Sequence, residues 1–184
     1  MAGRSERDTV TRLVAQGVLQ FGPRNSAIFP HLTASELKHF TVVRCALEGR
    51  AACEAANNTD HKACKRLEDR LATMRSLIKD RQLDSDLDHH RQFHFEIYAM
   101  SGIPILVVMI ENMWLRCEPA LSFVIPQYVL SLKGSDHHQA ALNGILKGDA
   151  AAAEAAIIAD ITEAANYLER LADKMERLVK PTRD

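Results

Sequence analysis

The sequence predicts an all-α protein: an antiparallel bundle of about six helices, preceded by a short helix and a small β-hairpin. Three observations support this fold class. Of the 184 residues, 47% are hydrophobic but only 5% are aromatic, and alanine is far more frequent than glycine, which favours helices. Apolar residues recur with helical spacing through most of the chain. Capping residues, glycines and prolines divide it into segments of helical length.

The N-terminal part of the chain contains the one strand signal in the sequence. Residues 5–16 can form a short helix. Apolar runs flank residues 22–26, which read Gly-Pro-Arg-Asn-Ser, and Pro30 follows the second run. Apolar runs around such a turn are typical of a β-hairpin. We therefore divide the chain into residues 1–31, a helix and a hairpin, and residues 32–184, a helical domain.

The first two helices of the bundle have clear boundaries. Thr33 and Glu36 have the spacing of a capping box, in which each side chain bonds the backbone N–H of the other residue. They predict a helix that runs to about Ala56. Residues 57–59, Asn-Asn-Thr, separate it from a second helix that ends near Arg81.

The third and fourth helices are bounded by polar caps and prolines. The third has three candidate N-cap residues, Asp84, Ser85 and Asp86. It is expected to end at Ser101-Gly102. Pro104 suits the first turn of the fourth helix, and Pro119 is expected to kink or end that helix.

The last two helices are separated by a Gly-Asp pair. Asp136 opens the fifth helix and Gly148 stops it, while residues 126–135 before it have no clear assignment. Asp149 caps a long final helix over residues 150 to about 178. Together with the four preceding segments, these make the predicted bundle of six.

Four polar side chains occupy inward positions of three predicted helices. His90 and His94 are four residues apart and share one helix face, while His138 and Asp160 each lie on the apolar stripe of another helix. Burying these groups separately would be costly. One divalent metal ion bound by all four would remove that cost, and three imidazoles favour zinc or nickel over calcium.

Less specific interpretations remain open for these residues. A single inward histidine is usually a satisfied core residue, and one pair at four-residue spacing proves little. An inward aspartate such as Asp160 is harder to explain, because aspartate is almost never fully buried unpaired. Arg44 has the inward phase of the first bundle helix, where a guanidinium can grip the carboxylate of a small metabolite. The alternative is an ion pair with Glu48 one turn on, which contributes little.

Several function classes find little support in the sequence. The net charge of −1 gives no bulk attraction to nucleic acid or membranes, and the most apolar window, residues 103–110, is too short to cross a bilayer. The four cysteines form no Cys-x2-Cys pair, which is typical of reduced thiols in a cytoplasmic protein. The chain has neither a pair of Glu-x2-His motifs nor a His-Glu-x2-His motif, so we do not expect an enzyme. A metal-dependent enzyme acting on a small organic acid remains the alternative.

The motifs also resemble those of a known family. They are Arg44 with Leu47-Glu48, Phe93-His94, the turn Ser101-Gly102-Ile103-Pro104, and His138 eleven residues before Asp149. Their order resembles the FadR-like C-terminal (FCD) ligand-sensing domain of GntR-type transcription regulators, from about residue 9 to about residue 175. The family pattern has aspartate where this chain has His90 and histidine where it has Asp160, so the set of three histidines and one aspartate is retained with two positions exchanged. Ile103 stands where the family usually has asparagine.

The N-terminal part resembles a portion of the family's DNA-binding module. Residues 10–19 are similar to the end of the recognition helix and the first wing strand of a winged helix-turn-helix, and residues 21–29 to the wing. The two preceding helices of that module are not in this sequence, so we expect a remnant with weak DNA contacts. The candidate contact residues are Arg4, Arg7, Arg12 and Arg24. The resemblance implies a homodimeric, metabolite-responsive regulator that binds operator DNA when full-length.

Overall fold

A computed structural model of the protein describes residues 2–30, 33–122 and 137–179. The helices are α1 Ala2–Ala15, α2 Ala34–Asn57, α3 His61–Lys79, α4 Leu83–Met100, α5 Pro104–Ser122, α6 His137–Lys147 and α7 Ala150–Val179. The strands are β1 Gln20–Phe21 and β2 Ala27–Ile28. The predicted all-α class is confirmed, and the described residues form six bundle helices after a first helix and a hairpin. Within these described ranges no helix is long and apolar enough to cross a membrane.

The hairpin forms where the sequence places it. β1 and β2 are antiparallel, with Gln20 opposite Ile28. Arg24 and Asn25 in the turn both have positive φ, 57° and 58°. The amide of Gly22 donates to the carbonyl of Ser26 at 2.7 Å, which closes the turn. The β-hairpin prediction is therefore confirmed.

Local capping defines the start of two bundle helices. The hydroxyl of Thr33 accepts from the amide of Glu36 at 3.2 Å, and the Glu36 carboxylate accepts from the amide of Thr33 at 2.8 Å. The predicted capping box of α2 is thus confirmed. At α7, the carboxylate of Asp149 accepts from the amide of Ala152 at 3.0 Å. Gly148 ends α6 with φ at +67°. Asp136, the predicted start of α6, lies outside the described residues, as do residues 126–135.

The predicted N-caps of α4 are wrong. The helix begins at Leu83, and its N-cap residue is Gln82, which makes no side-chain capping bond. The reason lies in the end of α3, where Arg81 takes a left-handed conformation with φ at 57°. The amide of Gln82 then donates to the carbonyl of Leu77 at 2.9 Å, which is the long bond of a Schellman motif. Because this motif reverses the chain at once, α4 starts before the acidic residues, and Asp86 is buried inside it.

Pro119 was expected to kink or end α5, and an end there is wrong, since the helix continues to Ser122; a kink at Pro119 stays a prediction. A proline removes its own backbone donor, but here three helical residues still follow it and complete the last turn.

The core lies between the six bundle helices. α2 packs along α7, α3 against α4, and α6 against α7. Large side chains with no exposed surface fill the centre, among them Phe93, Ile97, Ile110, Ile145 and Ile157. Burying each contributes about 1.5–3 kcal/mol relative to leaving it exposed. This packing fixes how α4, α6 and α7 are placed relative to one another along the bundle. It therefore also positions the polar residues on their inner faces.

Candidate metal centre

Three helices contribute to one polar cluster inside the bundle. His90 and His94 lie one turn apart on α4, His138 is the second residue of α6, and Asp160 lies in the first half of α7. His94 is buried and the other three are half-buried. The structure therefore brings together all four residues that the sequence predicts as metal ligands, and their role as ligands remains a prediction.

The spacing of the four side chains suits a shared ion. Nε2 of His94 lies 3.2 Å from Nε2 of His90, 3.3 Å from Nε2 of His138 and 3.4 Å from Oδ2 of Asp160. Nε2 of His138 lies 3.6 Å from Oδ1 of Asp160. Two ligands about 2.1 Å from one ion are about 3.0 Å apart at a right angle and about 3.4 Å apart at the tetrahedral angle. The four measured distances lie between 3.2 and 3.6 Å, close to these values, and one ligand atom from each residue lies within 4.8 Å of the others.

The electrostatics of the cluster favour the protonation states that bind metals. Burial alone raises the pKa of Asp160, but the neighbouring His138 and His94 outweigh it and hold that pKa well below its usual range. Burial lowers the pKa of His90, and His94 and His138 lower it further. Asp160 is therefore ionised and His90 neutral at pH 7, which are the forms that act as ligands.

A buried hydrogen-bond chain leads away from the cluster. Nδ1 of His94 lies 2.9 Å from the hydroxyl of Tyr98, and that hydroxyl donates to Oε2 of Glu48. Glu48 in turn accepts from Nε of Arg44 at 2.6 Å and from Nη2 at 3.2 Å. Neither Tyr98 nor Glu48 has exposed surface.

Sequence reasoning missed this series of hydrogen bonds from His94 through Tyr98 to Glu48. The signal for Tyr98 was its position four residues after His94, because residues 90, 94 and 98 follow one helix face. For Glu48 the sequence indicates only a weak ion pair with Arg44. Its place on the inward side of α2, among alanines, was the sign that it is buried.

Arg44, the predicted effector contact, lies near the cluster but is already paired. Its ion pair with Glu48 is the alternative that the sequence left open. The bonds use Nε and Nη2, which leaves Nη1 outside the pair. The guanidinium lies over the ring of Trp114, 5.1 Å from its centroid, and that centroid is 5.6 Å from the ring of His94. Trp114 is thus close to both Arg44 and His94.

A narrow recess opens beside Arg44. Its walls come from α2, α5 and α7 and are mostly apolar, with the side chains of Leu37, Phe40, Thr41, Arg44, Cys117, Ile161, Ala164, Ala165 and Leu168. The guanidinium of Arg116 lies over the ring of Phe40, one of these lining residues, 4.8 Å from its centroid.

The predicted DNA contacts lie in the N-terminal elements. Arg7 and Arg12 are on α1, Arg24 is in the hairpin turn, and all three are exposed. Arg4 belongs to α1, but its side chain is not among those described.

Comparison with known proteins identifies the family. The FCD domain family matches residues 39–163, about two thirds of the chain. The chain belongs to the FCD domain family. The matched segment contains the four residues of the cluster, along with Arg44, Glu48 and Tyr98.

Similar proteins include known regulators. The HTH-type transcriptional regulator McbR of Escherichia coli K12 is 26% identical over 118 residues, which are 64% of this chain and 53% of McbR. The chain thus spans about half the length of that relative. The solved structure of E. coli McbR/YncC matches 90% of this chain and 83% of its own, with a TM-score of 0.80 and 21% identity. Streptococcus agalactiae GntR matches 87% of this chain and 79% of its own, with a TM-score of 0.60 and 14% identity. These two structures share the fold.

Proposed function

We propose that this protein is a metabolite-responsive transcription regulator of the GntR type, whose helical domain binds a divalent metal ion and a small carboxylate effector. The observation that carries the proposal is the convergence of one aspartate and three histidines from α4, α6 and α7 at ligand spacing. Membership in the FCD family supports the regulatory role, because the relative McbR is named a transcriptional regulator.

The donor set points to the class of metal. Three imidazole nitrogens and one carboxylate oxygen suit zinc or nickel, whereas calcium prefers oxygen ligands. The two positions at which this chain exchanges aspartate and histidine relative to the family pattern, His90 and Asp160, both lie in the cluster. The exchange keeps the number of each ligand type, which supports a working site.

Two hydrogen-bond donors near the cluster support an anionic effector. Nε1 of Trp114 is buried and has no hydrogen-bond partner among the described residues. Nη1 of Arg44 is close by, since the guanidinium lies over the same ring. A carboxylate can accept from both groups, and a second oxygen of the same molecule would be available to bind the ion. A small di- or hydroxy-acid has the required two ends.

The N-terminal elements and the assembly complete the proposal. We infer that residues 1–31 belong to a DNA-binding head and that the helical domains pair as a homodimer, because twofold symmetry matches twofold operators. An effector bound between α2, α4 and α5 would then shift the populations of two dimer arrangements. A regulator with this role acts in the cytoplasm.

The effector is tested by thermal unfolding with and without added zinc. We expect di- and hydroxy-acids to raise the melting temperature only when the metal is present, because they stabilise the native state by mass action. Arg44→Ala should weaken this shift. Arg50→Ala is the matched control, since Arg50 is exposed on the same helix and pairs with Glu54.

Two results would contradict the proposed function. One is a screen of such acids that produces no metal-dependent shift in the wild-type protein. The other is turnover: chemical conversion of a stabilising acid by the metal-loaded protein would favour the enzyme that the sequence left as an alternative.

A further inference from the structure

The hydrogen-bond chain behind His94 has a defined direction. Glu48 is held by the guanidinium of Arg44 at 2.6 Å and 3.2 Å, and an ionised carboxylate can only accept hydrogen bonds. The single hydrogen of the Tyr98 hydroxyl is therefore donated to Glu48. The oxygen of Tyr98 is left as an acceptor, and Nδ1 of His94 lies 2.9 Å from it.

This direction determines which nitrogen of His94 carries hydrogen. A neutral imidazole has one N–H group and one lone pair, and the hydrogen bond of one nitrogen fixes the state of the other. With Nδ1 donating to Tyr98, the lone pair of His94 lies on Nε2. Nε2 is the atom that faces the ligand atoms of His90, His138 and Asp160.

We propose that Tyr98 and Glu48 are positioning residues that hold the hydrogen of His94 on Nδ1, so that the lone pair of Nε2 faces the cluster before any metal binds. The inference rests on the proposed function for the identity of the occupant, a divalent metal. The placement of the hydrogen is a property of the metal-free protein.

Removing the hydroxyl of Tyr98 reverses this arrangement. In Tyr98→Phe, Nδ1 of His94 has lost its acceptor and faces an apolar ring. Nε2 still has Oδ2 of Asp160 at 3.4 Å, so a hydrogen on Nε2 finds a charged acceptor there. We therefore expect His94 in this variant to carry its hydrogen on Nε2. A metal ion must then displace that hydrogen, which lowers metal affinity.

The direct test is long-range ¹H–¹⁵N spectroscopy of the histidine rings in the metal-free full chain at pH 8. We expect the Nδ1–H form of His94 in the wild-type protein and the Nε2–H form in Tyr98→Phe. Tyr167→Phe is the matched control, because it removes a half-buried hydroxyl from α7 beside Leu168 and Cys117. It should keep the wild-type form. An Nε2–H form in the wild-type protein, or an unchanged Nδ1–H form in Tyr98→Phe, would overturn the inference.

The second readout is zinc affinity by chelator competition on the same three proteins. Loss of an outer hydrogen bond to a ligating histidine typically costs about 10–100-fold in affinity, and we expect this loss in Tyr98→Phe alone. An equal loss in Tyr167→Phe would point to general destabilisation and contradict the positioning role. Absence of zinc binding in all three proteins would refute the proposed metal site, while the spectra would still decide the position of the hydrogen.

Discussion

His94 takes part in most of the polar contacts that hold the cluster together. Its Nε2 faces His90, His138 and Asp160, and its Nδ1 faces Tyr98. At this scale the sequence predicted which residues point inward, because helical periodicity gives the phase of each side chain. It did not predict that Glu48 accepts from Tyr98, because that contact depends on how α2 lies against α4, a tertiary feature absent from local pattern.

Asp86 shows how a residue can be misassigned at this scale. It was a candidate N-cap, but in the structure it is 2% exposed, and its Oδ1 has no hydrogen-bond partner among the described residues. Burial raises the pKa of Asp86 to about 6. Because the folded protein takes up this proton more readily than the unfolded chain, the Asp86 carboxyl makes folding less favourable as pH rises from about 4 to about 6.

We therefore expect Asp86→Asn to stabilise the protein at pH 7.5 by about 1–2 kcal/mol, because the amide removes a buried charge while keeping the shape. The gain should vanish near pH 4, where the wild-type carboxyl is protonated in the folded protein. Urea unfolding at the two pH values measures both quantities. Asp88→Asn, at an exposed position two residues on, is the control and should change stability little. A destabilised Asp86→Asn protein at pH 7.5 would show that the carboxylate is needed.

At the scale of elements, the sequence predicts the helix boundaries that depend on capping side chains and glycine. It does not predict the boundary that depends on a strained backbone conformation. The capping box of α2 and the Gly148-Asp149 junction depend on neighbouring residues, so the sequence shows them. The junction of α3 and α4 depends on Arg81 in a left-handed conformation. Arginine rarely adopts that conformation, so the residue type at position 81 did not predict the turn.

The contact between α6 and α7 gives a prediction at this scale. A Cβ atom added at Gly144 would lie 2.6 Å from the backbone nitrogen of Ala153 and 2.9 Å from its Cα. Because backbone atoms cannot rotate away, Gly144→Ala must push the two helices apart. We expect a loss of about 1–3 kcal/mol in the free energy of unfolding, despite the better helix propensity of alanine.

Gly49→Ala is the comparison for that measurement. Its new Cβ would meet the side chain of Ile158 at 3.0 Å, which can move, so a smaller loss is expected. Thermal and urea unfolding of both variants decide the point. Equal stability of Gly144→Ala and the wild-type protein would mean that α6 and α7 are not packed this closely. Since α6 bears His138 and α7 bears Asp160, the substitution should also weaken metal binding.

At the scale of the whole molecule, the fold class followed from composition and periodicity, and the family from a few spaced motifs. The bundle order and the FCD family are confirmed. Assembly could not be derived in the same way, because it depends on surfaces whose partners leave no pattern within one chain. The homodimer therefore remains a prediction.

We expect these 184 residues to form a homodimer and to bind DNA weakly. The exposed arginines of α1 and the hairpin can contact phosphates, and phosphate contacts carry no sequence information. Binding of this kind is independent of sequence and falls steeply with salt. Sedimentation measures the dimer, and gel-shift titrations at two salt concentrations measure the binding. Sequence-specific nanomolar binding by these residues at physiological salt would contradict this expectation.

The central claim concerns the ion, and elemental analysis of the purified protein tests it most directly. The wild-type protein, incubated with zinc or nickel and then desalted, is compared with His94→Ala and with His61→Ala, whose histidine is exposed at the start of α3. The account predicts about one ion per chain in the wild-type protein and in His61→Ala. It predicts a low metal content in His94→Ala, because the ion loses the ligand that lies closest to the other three. Equally low metal content in all three proteins would contradict it.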